Sequence, residues 1–219
     1  MNKKPDYGRA TNSAYEFLIS QNVDLPFIDV FELIMSLTNV KLHTYSECAA
    51  KCGCSTEYFK RHYASSEHGF TITDGNKSII CYNELKDEKT IKFTIPHELG
   101  HIVLKHKEDD TVANKEADCF ARNILCPIPV VDKYGLSTKN EYTHFFGISE
   151  IMAEPAILYY PNDSYYITES NYAKLRNMID ARIERCKRAQ YGQFAECVAI
   201  ENDSFSSLTN NGTTSYITI

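Results

Sequence analysis

The residues best suited to chemistry lie in Thr94-Ile95-Pro96-His97-Glu98-Leu99-Gly100-His101-Ile102-Val103-Leu104-Lys105-His106. His97 and His101 are four apart. On an α-helix that spacing stacks two imidazoles on one face, one turn apart, where both reach a single metal ion. Glu98 is about 100° around the helix from His97, beside such an ion and not aimed at it. Zinc takes neutral imidazole nitrogen readily. A catalytic zinc keeps a position open for water and lowers that water's pKa toward about 7. A nearby carboxylate then takes the water proton and passes it to a leaving amine. H-E-x-x-H order therefore supplies two ligands and a general base for peptide hydrolysis. The competing reading is a surface helix with two chance histidines. Leu99, Ile102 and Val103 weigh against it, because they give the helix an apolar face to bury.

Two histidines hold zinc poorly, so a third ligand is expected on a following helix. The stretch Asn114-Lys115-Glu116-Ala117-Asp118-Cys119-Phe120-Ala121 offers it. Glu116 is the strongest donor and the expected ligand. Asp118 is a ligand or a partner that orients a histidine, and Asn114 lies one turn before Asp118 on the same face. The competing reading makes Glu116 and Asp118 solvated charges near a helix N-terminus. His106, five residues past His101, falls off that face by helical geometry and reads as a supporting or surface histidine.

Periodicity places the elements that must position these groups. Helices are expected over residues 7–20, 29–37, 46–51 and 55–64, and a strand over 40–45. Residues 69–73 and 78–83 read as a hairpin around Asp74-Gly75-Asn76-Lys77. The alternating run 90–95 reads as a strand leading into the metal helix, with Pro96 at the first helical position. Residues 111–126 form a helix stopped by Pro127. Residues 142–153 have the proportions of helix, turn and helix, 165–168 of a short strand, and 170–191 of a charged amphipathic helix. The tail from Glu201 reads as mobile. The fold class is α+β.

Composition is that of an ordinary globular protein, 43% apolar and 24% charged. A net charge of −6 argues against a general nucleic-acid surface. No apolar run reaches the roughly 18 residues that span a membrane. The Met1 to Asp6 segment has no apolar core after it, so no signal peptide is expected. The eight cysteines then read as reduced thiols in a cytoplasm. Cys48, Cys52 and Cys54 cluster, but without a further C-x-x-C they read as structural or incidental and not as a second metal site.

Phe93 to His101, followed by Glu116-Ala117-Asp118-Cys119-Phe120-Ala121 and Leu125-Cys126-Pro127, resembles the ImmA/IrrE family of metallo-endopeptidases. Ser66-Glu67-His68-Gly69-Phe70, Tyr82-Asn83 and Phe146-Gly147-Ile148-Ser149 are similar to it as well, so the resemblance covers roughly residues 7–155. It implies a zincin-like core with a small mixed sheet packed on the H-E-x-x-H helix. The expected division is a core at 1–127, a helical subdomain at 128–200 and a tail at 201–219. It also implies zinc bound by His97, His101 and an acidic residue on the later helix, with Glu98 as base. The implied substrate is a protein, such as a helix-turn-helix repressor of a mobile element or prophage. One departure stands out: many relatives carry acids at the positions of both Asn114 and Glu116, and in some the earlier one ligates.

The leading expectation is a cytoplasmic zinc endopeptidase. The alternative is a weak or inactive protein that keeps the fold for binding or regulation, a reading that Asn114 motivates and Glu98 opposes. A DNA-binding role for residues 145–153 is disfavoured by the acidic charge. Oligomeric state is not legible.

Overall fold

A computed structural model describes residues 4–108 and 110–188. The elements in order are α1 (Tyr7–Ser20), α2 (Val30–Met35), β1 (Val40–Thr44), α3 (Tyr45–Lys51), α4 (Thr56–His62), β2 (Gly69–Asp74) and β3 (Lys77–Tyr82). There follow α5 (Glu88–Val103), α6 (Thr111–Leu125), α7 (Ile128–Tyr134), α8 (Lys139–Phe146), α9 (Glu150–Tyr166) and α10 (Glu169–Arg188). The fold is mixed α+β, mostly helical, with one small sheet among the described residues. The sheet order is β1-β3-β2. β1 runs parallel to β3 in the register Leu42↔Ile80. β2 runs antiparallel to β3 in the register Thr71↔Ile80, as the Asp74 to Lys77 turn requires.

Local chemistry starts most of these helices. The Asp6, Asp29, Asp87 and Asp110 carboxylates each accept a backbone N–H of the helix they precede. Thr44 caps α3, in a reciprocal box with Glu47, so the helix begins one residue before the expected position 46. Gly147 ends α8 at φ +61°, a left-handed turn that glycine adopts freely, and Ser149 caps α9 just beyond it.

Two expected strands do not form. Residues 90–95 are the first turns of α5, capped by Asp87, which accepts from Thr90 N at 3.0 Å. Ile91, Ile95 and Leu99 recur at helical spacing, and the last two are fully buried. Pro96 therefore sits inside the helix. It withholds an N–H from the turn below, and burial of this face against the core outweighs that cost. Residues 165–168 are likewise no strand, because α9 runs to Tyr166 through Pro155 and Pro161. The helix-turn-helix proportions of 142–153 are realised in α8, Gly147 and the start of α9. The tail from Glu201, expected to be mobile, and the end of the helix expected to reach residue 191 lie outside the described residues.

Apolar side chains of α1, α2, β1, β3 and α5 through α10 join in one buried cluster that includes Ala10, Leu18, Ile80, Leu99, Phe120, Ile124, Met152 and Ile179. A second, smaller cluster of Tyr45, Ala49, Phe59 and Cys81 lies under α3 and α4. At the centre α5 crosses α6 closely. A Cβ at Gly100 would stand 3.1 Å from the Ala117 Cα and 3.2 Å from the Phe120 ring. Any larger residue would force the two helices apart by a few tenths of an ångström, so glycine suits this close approach of α6 to the helix that carries the histidines.

Candidate active site

His97 and His101 point the same way from α5, and their Nε2 atoms are 3.2 Å apart. Asn114 Oδ1 is 3.3 Å from His97 Nε2. One turn further along α6, Asp118 Oδ1 lies 2.8 Å from His97 Nδ1. An Nδ1–H donated to Asp118 fixes the ring and leaves the Nε2 lone pair facing His101 and Asn114. Burial pushes the His97 pKa down, but the hydrogen bond and charge of Asp118, with the charge of Glu98, outweigh it and hold it above the usual histidine value.

The structure does not bring Glu116 to this pair. Two residues on a helix are about 200° apart, so the face that carries Asn114 and Asp118 to His97 turns Glu116 away. Its carboxylate accepts from Asp6 N at 2.9 Å and lies 3.0 Å from His106 Nε2. The Arg9 guanidinium lies 3.5 Å from it and also donates to the Leu104 carbonyl. Among the described residues no three His, Cys, Asp or Glu side chains come together as a metal-holding group. The oxygen beside the histidine pair belongs to an amide.

His106 reaches the site by leaving the helix. Lys105 turns at φ +53°, His106 N donates to His101 O at 3.0 Å, and Lys105 N donates to Ile102 O at 3.1 Å. This pairing closes a helix C-terminus and folds the second residue beyond it back over the last turn. The His106 ring is thereby buried, with its Nδ1 3.1 Å from His101 Nδ1. Its position five residues after His101 misleads only if the helix is taken to continue.

Glu98 is buried beside the pair, and its Oε2 accepts the Thr71 hydroxyl at 2.9 Å. Thr71 lies on β2, which crosses this turn of α5 closely. A Cβ at Gly69 would come 2.5 Å from the Thr94 side chain. No spacing in the sequence points to Thr71, because a strand and a helix 27 residues apart meet only in the folded chain.

His97 and Glu98 open onto a cleft of ≈ 670 Å³. Ser66 and His68 border it on the sheet side, Phe93 and Thr94 on α5, and Ile151, Met152, Pro155 and Tyr159 on α9. α9 is held there by a buried ion pair: Arg122 Nε and Nη2 donate to Asp163 at 2.7 and 3.0 Å. Arg122 also stacks over Tyr159, 4.8 Å from the ring centroid. This tether, too, has no signature in the sequence.

A helix that aligns two imidazoles with a carboxylate between them, over an open cleft, is the arrangement of metal-dependent peptide hydrolases. The chain belongs to the ImmA/IrrE family of metallopeptidases: the family described as the IrrE N-terminal-like domain matches residues 56–169. That span covers α4 to the start of α10, including the α9 wall of the cleft. No curated protein and no solved structure matches the chain. No helix among the described residues is long and apolar enough to cross a membrane.

Proposed function

We propose that this chain is a zinc-dependent endopeptidase of zincin type, acting in the cytoplasm on a protein partner. His97, His101 and the Asn114 amide oxygen would hold the metal, and Glu98 would be the general base. The observation that carries this reading is the spacing of the donors. Zinc bonds of about 2.05 Å in a tetrahedron place ligand atoms about 3.3 Å apart. The His97–His101 and His97–Asn114 separations are 3.2 and 3.3 Å. Two of the three separations between these donors thus match those of a tetrahedral zinc site, which supports the reading, with a neutral oxygen where a carboxylate is the commoner choice.

When bound, the ion would supply a Lewis acid for the attacking water and the scissile carbonyl. The chain's own groups do the rest. Glu98 takes a proton on its carboxylate and returns it to the departing amine nitrogen. The Thr71 hydroxyl holds one carboxylate oxygen, so the base keeps one orientation through both transfers. The apolar α9 wall orients the peptide, and the helices after Pro127 serve as the substrate-selecting subdomain. The ImmA/IrrE resemblance directs the search for the partner first to helix-turn-helix repressors.

Glu98→Gln tests the reading. Cleavage of a proteome-derived peptide library, read by mass spectrometry, should fall at least about a hundredfold. Zinc content should match wild type, because neither histidine changes. Cleavage at the wild-type rate would refute the mechanism. The second reading, a binding or regulatory protein, rests on Asn114. It gains if neither form cleaves and both capture the same partner.

A further inference from the structure

His97 and His101 are supported differently. His97 Nδ1 meets the Asp118 carboxylate directly at 2.8 Å. His101 Nδ1 meets a second imidazole, His106 Nδ1, at 3.1 Å, and His106 Nε2 meets Glu116 Oε2 at 3.0 Å. The outer two members are nearly out of solvent, with side-chain exposures of 8% for His106 and 3% for Glu116. Glu116 is itself fixed by Asp6 N and Arg9, so its carboxylate cannot swing away.

An imidazole–imidazole contact between two Nδ1 atoms needs one proton between them. A carboxylate accepts only, so the proton on His106 belongs at Nε2, facing Glu116. His106 Nδ1 is then the acceptor, and His101 must donate from its own Nδ1. That leaves the His101 Nε2 lone pair on the side of His97 Nε2 and Asn114. We propose that His106 and Glu116 are positioning residues. They select the Nδ1–H tautomer of His101 and so make its Nε2 a ligand, as Asp118 does for His97. The proposal rests on the metallopeptidase reading above and assigns Glu116 a role in that site without direct ligation. It also accounts for the charge: two carboxylates, each behind an imidazole, supply the negative field that Asn114 does not.

Two measurements on the full-length chain test it. The first is long-range proton–nitrogen correlation on metal-free protein with labelled histidine. It should show His101 protonated at Nδ1 and bare at Nε2, and a proton at His101 Nε2 would overturn the proposal. The second compares His106→Asn with His106→Gln for zinc and cobalt binding. Asparagine sets an amide oxygen near the Nδ1 position and can still accept from His101. Glutamine reaches Glu116 and not His101. His106→Gln should weaken zinc tenfold to a hundredfold, the usual effect of removing such a partner. His106→Asn should stay within about threefold, since it keeps the one contact that sets the tautomer. Equal losses in both, tracking equal falls in thermal midpoint, would make His106 a packing residue and overturn the proposal. Wild-type affinity in both would overturn it too. If wild type itself binds neither metal, the metallopeptidase reading fails, and the relay is then decided by the His101 tautomer alone.

Discussion

Asn114→Asp is the most direct test of the third donor. Aspartate has the length of asparagine, so its oxygen should occupy the place of the amide oxygen 3.3 Å from His97 Nε2. The change is then one of charge and not of reach: a neutral donor becomes anionic against a dication held otherwise by neutral imidazoles. Partners one shell further out are worth tenfold to a hundredfold in metal affinity. A directly contacting carboxylate should give at least about a hundredfold, or about 2.8 kcal/mol. Competition with a chromophoric chelator near neutral pH measures it. The metal-free protein should respond in the opposite sense. The new charge stands one turn before Asp118, and like charges at that spacing cost about 0.2–0.5 kcal/mol on a helix. The variant should therefore melt slightly below wild type without zinc and clearly above it with saturating zinc. Unchanged or weaker zinc affinity would refute the assignment of Asn114 as the third donor.

Two further outcomes follow from the same geometry. Ile151 is 86% exposed at the mouth of the cleft, so Ile151→Asp should leave the thermal midpoint unchanged. If the side chain buries against substrate, kcat/KM should drop ten- to a hundredfold, as loss of about 1.5–3 kcal/mol of apolar burial implies. Glu84 accepts the Tyr45 and Ser46 N–H groups, each at 3.1 Å. Burial pushes its pKa up, but the Ser46 hydroxyl, together with these backbone hydrogen bonds, outweighs it and holds the carboxyl below the usual value. A group held down contributes stability above its ordinary pKa and loses it as pH falls through the folded value. Glu84→Gln should thus cost about 1–2 kcal/mol near neutral pH in denaturant titrations, and the difference should close in acid.

Residues of similar type reach the histidine pair by different routes. Asp118 and Glu116 are two positions apart, yet one meets His97 directly and the other reaches His101 only through His106. Glu98 and Thr71 form a separate pair, so the proposed base and the proposed ligands are oriented by different elements. Substitutions can therefore separate metal affinity from proton transfer. His106 and Asn114 variants should act on the first and Glu98 variants on the second.

Short-range chemistry made part of this legible from the sequence. The i, i+4 spacing of His97 and His101, the shared face of Asn114 and Asp118, and the 69–83 hairpin with its Asp-Gly turn are periodicities of one or two turns. Each survives into the fold because nothing distant competes with it. The α+β class was legible for the same reason. Tertiary structure decided the rest. The alternation of 90–95 suits a strand as well as a helix end, and only burial of Ile95 and Leu99 against the core settles it, with Pro96 carried inside α5. Glu116 is the stronger donor by residue type. Its direction depends on the rotation of α6, which is fixed by the close approach at Gly100. His106 is brought back to His101 by a left-handed Lys105, a conformation that residue type does not announce. Thr71 and Asp163 act on residues 27 and 41 positions away. Contacts of that separation have no period, and only the packing of complete elements creates them.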